Sequence, residues 1–264
     1  MTGGSEFGRQ QPIAGVLAED EQQQIETEFG VGSEQVVRDH IISHALAAIA
    51  SGGTDDVIFF GGTALSRTHL TTLRLSEDID LIALGNRRAI GDRIETAITR
   101  NLQRALGTVT FTPHLRDTRH AEPSVMQVAD ARVQIQLVSS DGYPAWPTEV
   151  VEIQQRYGDA APARLRVLTS AAFVAAKLSS WADRHASRDL YDLWGMGEKG
   201  MIGRAAVELF ARMGSYTSAA QISFERVPAD AEWEAALGHQ CVIRIGPRDA
   251  ANEVKRRLTS ALKL

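Results

Sequence analysis

Residues Val57 to Leu84 read V-I-F-F-G-G-T-A-L-S-R-T-H-L-T-T-L-R-L-S-E-D-I-D-L-I-A-L, and the fold turns on how this stretch is parsed. Val57-Ile58-Phe59-Phe60 is a bulky, partly β-branched run closed by glycine, the pattern of a short buried strand. Gly61-Gly62 turns the chain, and Thr63 is placed to cap a helical pattern from Ala64 to Leu70. Ser76-Glu77-Asp78-Ile79-Asp80-Leu81-Ile82 then reads as a second strand. Side chains alternate across a strand, so Asp78 and Asp80 share one face while Ile79 and Leu81 share the other. Two such carboxylates repel each other and gain nothing from a core; a divalent cation between them removes the conflict.

Toward the N-terminus, residues 1–16 are rich in Gly, Gln and Ser and are expected to form a flexible tail. Ala18 to Phe29 suits a short acidic helix. Glu34 to Ala50 predicts a longer one, capped by Ser33, with Val36, Val37, Ile41, Leu46 and Ile49 near helical spacing. That helix carries His40 and His44 one turn apart. The spacing is that of a metal-binding pair, but the glutamate of H-E-x-x-H is missing, so the two read as partly buried histidines against the sheet.

Toward the C-terminus, Arg87 to Leu106 repeats Ile90, Ile94, Ile98 and Leu102 as a helix does. Val109–Phe111, Ser124–Val128, Ala131–Val138 and Glu149–Ile153 read as strands. In the third of these Val133, Ile135 and Leu137 face one way and Gln134 and Gln136 the other. Asp141 to Pro147 is a loop. Gly158 to Ala163 is the best linker, with strands expected before it and helices after. Thr169 or Ser170 caps a helix to about Arg184 that sets Phe173, Lys177 and Trp181 on one face. A second helix from Ser187 carries Arg188, Asp189, Tyr191, Asp192 and Trp194. Helices at Gly203–Gly214, Asp230–Leu237 and Asp249–Leu262 surround an expected short strand, Val242–Ile245, with Trp233 and Leu237 as core anchors.

G-G-T-A-L-S-R followed by R-L-S-E-D-I-D-L resembles the signature of the polymerase-β-like nucleotidyltransferases, in the form used by the AbiEii/MenT toxin family. The later series Lys177, Arg184, Arg188-Asp189 and Asp192 is similar to that family's second motif. The resemblance implies an α/β fold: a nucleotidyltransferase domain with a mixed sheet flanked by helices over residues 17–160, and a mainly helical domain over 164–264 that completes the cleft. It implies a toxin of a toxin–antitoxin pair that transfers NMP from an NTP to the 3′ acceptor end of tRNA and stops translation. A cognate antitoxin would be its partner.

The resemblance also implies roles. Asp78 and Asp80 would hold Mg²⁺, or Mn²⁺ in its place. The backbone at Gly61, Gly62 and Thr63 would meet the phosphates at a helix N-terminus. Apart from the resemblance, Ser76 lies on the strand face of Asp78 two residues earlier, placed to contact the triphosphate. The hypothesis from that position is an off-switch in which phosphorylation puts up to about two negative charges beside the metal acids. Lys177 would grip the triphosphate as a point charge, with Arg184 and Arg188 extending the grip or forming surface ion pairs. Asp189 would orient these cations or supply a third carboxylate, Asp192 would be structural, and Arg74 would anchor a phosphate or clamp the loop. In the superfamily a third carboxylate often comes from the strand where this chain has Gln134 and Gln136, so the shell would need Asp130 or Glu152 to close. Three other readings share these residues: a nucleotidyltransferase acting on a small molecule such as an antibiotic, one adding nucleotide or phosphate to a protein, and a non-catalytic NTP-binding regulator.

Composition bounds these readings. The 264 residues are 44% hydrophobic, enough for a sizeable core. With 28 Lys and Arg against 33 Asp and Glu the net charge is −5, which does not suggest a bulk nucleic-acid binder. RNA contact would fall to small basic clusters at Arg87-Arg88, Arg116 to His120 and Lys255-Arg256-Arg257. No apolar run approaches the ~20 residues of a membrane span, and the polar N-terminus lacks the apolar core of a signal peptide. The single cysteine, Cys241, excludes an internal disulfide, suits a buried small hydrophobe and fits a cytoplasmic protein.

Overall fold

The computed structural model describes residues 12–53, 55–119 and 121–263. The chain starts with α1 (Glu19–Phe29) and α2 (Ser33–Ser51), then runs through β1 (Val57–Phe60), α3 (Gly61–Ser66), β2 (Asp78–Ala83) and α4 (Arg87–Leu106). Strands β3 (Val109–Thr112), β4 (Ser124–Val128), β5 (Ala131–Ser139), β6 (Thr148–Ile153) and β7 (Ala163–Leu168) follow. Helices α5 (Ser170–Arg184), α6 (Ser187–Glu198), α7 (Arg204–Met213), α8 (Asp230–Leu237) and α9 (Pro247–Ala261) complete it, with a short 3₁₀ turn at Ala219–Gln221. This is the α/β architecture expected.

One seven-stranded mixed sheet has the order β3-β4-β5-β2-β1-β7-β6. Its centre is β2, antiparallel to β1 and parallel to β5. The register places Phe60, Asp80 and Gln136 in a row across three strands, with Asp78 beside Gln134. Because alternation is strict, Ile79, Leu81, Ile135 and Leu137 point to the other face, where α2 and α4 cover them and their exposure falls to 0–1%. The acids therefore lie on the face that α2 and α4 leave uncovered.

Several local expectations fail for physical reasons, among them the Ser33 cap, since α2 already includes Ser33 and starts from Gly32 with no side-chain cap. Thr63 is not a cap: β1 passes straight into α3 through Gly61 at φ +76°, so the helix begins two residues before Thr63. The Thr63 hydroxyl donates instead to the Asp78 carbonyl and fastens α3 to the start of β2. The helix also stops at Ser66 rather than Leu70, with the buried Arg67 as its C-cap. Strands do not end at Gly158–Ala163. A-R-L-R-V-L continues as β7, with Ala163, Leu165 and Val167 buried, and inserts between β1 and β6. The expected linker is thus a connection inside the sheet, and one apolar core runs from the sheet into the C-terminal helices.

Val242–Ile245 forms no strand. Three of its backbone polar groups meet side chains instead: the Trp233 indole donates to the Ile245 carbonyl at 3.0 Å, and the Tyr191 hydroxyl lies 3.5 Å from the Val242 carbonyl and accepts from Arg244 N at 3.4 Å. Trp233, Leu237 and Cys241 are buried as expected. Of the N-terminal tail, residues 1–11 lie outside the described residues, and Gly15 is tied down by its N–H to Asp159 at 2.9 Å. Among the described residues no helix is long and apolar enough to cross a membrane.

A buried polar node braces the turn that carries the glycines. Arg67, fully buried, donates to the Asp39 carboxylate at 2.9 Å and to the carbonyls of Asp39 and Gln154 at 3.0 and 3.1 Å. Tyr157 donates to the same carboxylate at 3.1 Å, and Arg156 pairs with it at 3.4 Å. Burial pulls Arg67 down to about 10, against the opposing pull of Asp39. Arg67 closes the G-G-T-A-L-S-R motif, so the motif's last residue locks the loop onto α2.

Candidate active site

The uncovered face of β1, β2 and β5 forms the floor of a cleft of about 530 Å³. Phe60, Asp80 and Gln136 line that floor, Gly61 and Gly62 one rim, and Lys177 and Arg184 of α5 the opposite wall. Gly61 is required in two ways. Its φ of +76° suits glycine, and a Cβ there would stand 2.1 Å from Asp80 Oδ2. A Cβ on Gly62 would meet Arg74 Nη2 at 2.8 Å and Ser76 Oγ at 3.1 Å. Asp80, the arginine and the serine therefore crowd directly onto the glycine turn, while Asp78 lies two residues earlier on β2 and outside the cleft lining.

Both acids hold protons more tightly than an ordinary carboxylate. Burial lifts Asp80 from 3.8 to about 6, and the neighbouring Asp78 adds to the lift, while Lys177, Arg184 and Arg188 oppose it. Asp78 is also raised, mainly by burial, with Arg188 the largest opposing influence. The charge on this pair is thus held in an unfavourable place.

On the facing wall the reverse holds. Lys177 Nζ pairs with Asp189 at 2.9 Å and Asp192 at 2.7 Å. Burial works against its charge, but the two carboxylates outweigh burial and raise it. Asp189 also takes Arg184 in a two-point bond at 2.6 and 2.9 Å, and Asp192 takes Arg74 in another at 2.7 and 2.8 Å. Burial alone would raise these carboxyls, yet Lys177 and Arg184 bring Asp189 down to about 2, and Arg74 and Lys177 lower Asp192. Both oxygens of the wholly buried Asp189 are thus engaged by Lys177 and Arg184.

Arg74 is 3% exposed, and it also donates to the Leu75 carbonyl and to Gln240 Oε1 at 3.1 and 2.8 Å. Of the two expectations for it, the geometry is that of a clamp joining the loop before β2 to α6 and to the segment before α9. Arg184 differs: its side chain is 64% exposed and reaches into the cleft. Arg188 is exposed too and lies 3.8 Å from Glu77. Glu77, passed over in the sequence, also collects Arg38 at 2.6 Å and Gln240 at 2.9 Å, and its charge adds to the lift on Asp78. Ser76 is buried, so phosphorylation there requires the turn to open.

Neither carboxylate proposed to close the metal shell lies in the cleft. Asp130 sits at the β4–β5 turn beside a separate cavity, and Glu152 is an exposed residue of the edge strand β6. Opposite Asp80 stands Gln136, whose amide nitrogen donates to the Ala121 carbonyl at 2.6 Å and leaves its own oxygen. The basic clusters are likewise outside the cleft lining. Arg87 donates to the Thr118 hydroxyl at 2.7 Å, Arg116 pairs with Asp92 at 3.2 Å, and Arg256 and Arg257 both pair with Glu253 at 2.6 Å. His120 lies outside the described residues.

Sequence reasoning missed the cleft's roof. Tyr143 and Trp146, on a segment read only as a loop, line it, with Tyr143 edge-on to Phe60 at 5.6 Å. Asp183 also lines it and accepts from the Ser215 hydroxyl at 3.1 Å. The signal for the loop was two aromatics among prolines in D-G-Y-P-A-W-P, a composition rich in rigid, stackable surface.

Comparison with known proteins adds an independent line. The family model described as nucleotidyl transferase AbiEii toxin, type IV toxin–antitoxin system, matches residues 44–240. Among solved structures the chain is similar to MenT4, a nucleotidyltransferase toxin from Mycobacterium tuberculosis H37Rv. The TM-score is 0.65 at 17% identity, over 94% of this chain and 91% of that one. A looser likeness, TM-score 0.40 at 14% identity, links it to an antigenic nucleotidyltransferase-like protein from Paracoccidioides brasiliensis, over 74% of this chain and 97% of that one. No curated protein matches it by sequence.

Proposed function

The chain belongs to the AbiEii nucleotidyl transferase toxin family of type IV toxin–antitoxin systems, and from that premise we propose that it transfers NMP from an NTP to the 3′ acceptor end of tRNA and so blocks translation. The observation that carries this reading is the opposition, across one cleft, of Asp80, its charge disfavoured by burial and by Asp78, and a braced pair of cations, Lys177 and Arg184. Acids whose charge is penalised by burial and by each other gain most from a divalent cation, so Asp78 and Asp80 fit Mg²⁺, or Mn²⁺ in its place. When bound, such an ion neutralises phosphate charge and makes the acceptor hydroxyl easier to deprotonate.

The chain's own residues do the positioning. Gly61 and Gly62 present backbone N–H groups without a Cβ in the way, and Thr63 holds them to β2. An ammonium has three donors; Asp189 and Asp192 take two from Lys177 and leave one for a phosphate oxygen. Arg184, held by one edge on Asp189, offers its remaining donors to the triphosphate, and Arg188 stands near the acids. Arg74 works through Asp192, keeping α6 and the glycine turn in register. Tyr143 and Phe60 offer aromatic surface to the nucleobase. A cognate antitoxin is the expected protein partner, and the cytoplasm, where NTPs and tRNA are found, the expected place of action.

The test is incubation with total tRNA, Mg²⁺ and each α-labelled NTP in turn. The reading expects label at tRNA 3′ ends and none with Asp80→Asn. Label in protein or in a small acceptor would replace tRNA as the acceptor, and label nowhere would leave a nucleotide-binding regulator.

A further inference from the structure

Outside the cleft, three side chains of metal-ligating type converge where α2 meets the β6–β7 connection. His40 and His44 stand one turn apart on α2, and Asp159 arrives from residues 154–162. Their ligand atoms form a nearly equilateral triangle. His40 Nε2 lies 3.2 Å from His44 Nε2 and 3.0 Å from Asp159 Oδ2, and His44 Nε2 lies 2.9 Å from that same oxygen. A tetrahedral ion with bonds of about 2.0–2.1 Å sets its ligands ~3.3 Å apart, so the triangle is close to one face of such a shell.

Hydrogen bonding alone accounts for the cluster poorly. If both imidazoles donate from Nε2 to the carboxylate, two N–H groups crowd together 3.2 Å apart. If one Nε2 is unprotonated, its lone pair faces a carboxylate oxygen at 3.0 Å or less. A cation bound by all three atoms removes either conflict. The surroundings are those of a built site: the side chains of His40 and Asp159 are 3% and 1% exposed, and His44 is 11% exposed. The Tyr157 ring stands edge-on to His40 at 4.9 Å, and Gly15 N donates to Asp159 Oδ2 at 2.9 Å. A cavity of about 390 Å³ opens onto His44 and Asp159 and gives water access to a fourth position.

We propose that His40, His44 and Asp159 form a site for a zinc-class divalent ion, with water as its fourth ligand. Two imidazoles and one carboxylate favour zinc-class ions over Mg²⁺, which prefers oxygen shells. The site is separate from the cleft, since none of the three residues lines it. Its role is structural: the ion ties α2 to the connection that delivers β7 beside β1 and, through Gly15, to the N-terminal segment. The sequence offered the histidine spacing, but the acid comes from 115 residues further along the chain rather than from within the helix.

The test uses the full chain stripped with chelator, then titrated with Co²⁺ in excess Mg²⁺, which competes for the cleft acids. Tetrahedral Co²⁺ announces itself by intense visible absorption. Expected are one equivalent of tetrahedral Co²⁺, its displacement by Zn²⁺, and a Zn²⁺-dependent rise in Tm, all kept in Asp80→Asn. In His44→Gln and Asp159→Asn the affinity falls by more than ~100-fold, since even second-layer partners of a metal ligand are worth 10–100-fold. Wild type without tetrahedral absorption overturns the proposal, and that result needs no variant to fold. So does a signal kept by both ligand variants or lost in Asp80→Asn.

Discussion

Changing Asp80 to Asn should disable the chain and stabilise it at once. Burial and Asp78 lift the Asp80 carboxyl from 3.8 to about 6, roughly two units. At about 1.36 kcal/mol per unit, the ionised side chain costs the folded state up to ~3 kcal/mol. A folded value above the unfolded one means that the native state binds the proton more tightly. Stability is therefore greatest below the ordinary value and declines as the pH rises from about 4 through about 6. Asparagine has no proton to lose, so the gap between variant and wild type should open across that window and stay open above it. Because a buried amide keeps part of the penalty, a gain of ~1–2 kcal/mol, or ~2–8 °C in Tm, is expected at neutral pH without divalent ions. The assay is thermal unfolding across pH 4–8 in chelator, beside the transfer assay. A variant no more stable than wild type at neutral pH, or one whose gain does not fade on acidification, would refute the reasoning.

Other outcomes follow from the same geometry. Gly61→Ala puts a Cβ 2.1 Å from Asp80 Oδ2 at φ +76° and should cost ~1–3 kcal/mol in denaturant unfolding together with all transfer; unchanged stability would contradict the close approach. Arg184→Ala removes an exposed side chain, so unfolding should shift by less than ~1 kcal/mol while the KM for NTP rises at least several-fold; an unchanged KM removes Arg184 from the triphosphate. Asp192→Ala strips the buried partner of Arg74 and Lys177 and should cost ~3–5 kcal/mol by urea titration; a near-neutral result would deny the clamp.

How much of this could be read from the sequence differs by element, and the differences have causes. Asp78 and Asp80 were legible because strand alternation is strict and their neighbours Ile79 and Leu81 are apolar, so the face was settled locally. The helical face that Lys177 shares with Phe173 and Trp181, all of them buried, was legible from their spacing, whereas a role for the lysine came only from the resemblance. Strand β7 escaped because its alternation is short, follows Pro162 and runs into a helix start at Thr169, leaving little signal on either side. The false strand at Val242–Ile245 has the right apolar pattern but no strand partner, a matter decided by Trp233 and Tyr191 from elsewhere in the chain. The clamping of Arg74 by Asp192 and the meeting of His44 with Asp159 span 118 and 115 residues, distances at which no local pattern carries information.

The central claim is that the acids at 78 and 80 bring a metal-bound nucleotide into this cleft. Titrating wild type, Asp78→Asn and Asp80→Asn with Mn²⁺ and a non-hydrolysable NTP, followed by electron paramagnetic resonance, tests it most directly. The account predicts nucleotide-dependent Mn²⁺ binding to wild type that either substitution weakens by ~100-fold or more. Equal binding by all three proteins would contradict it.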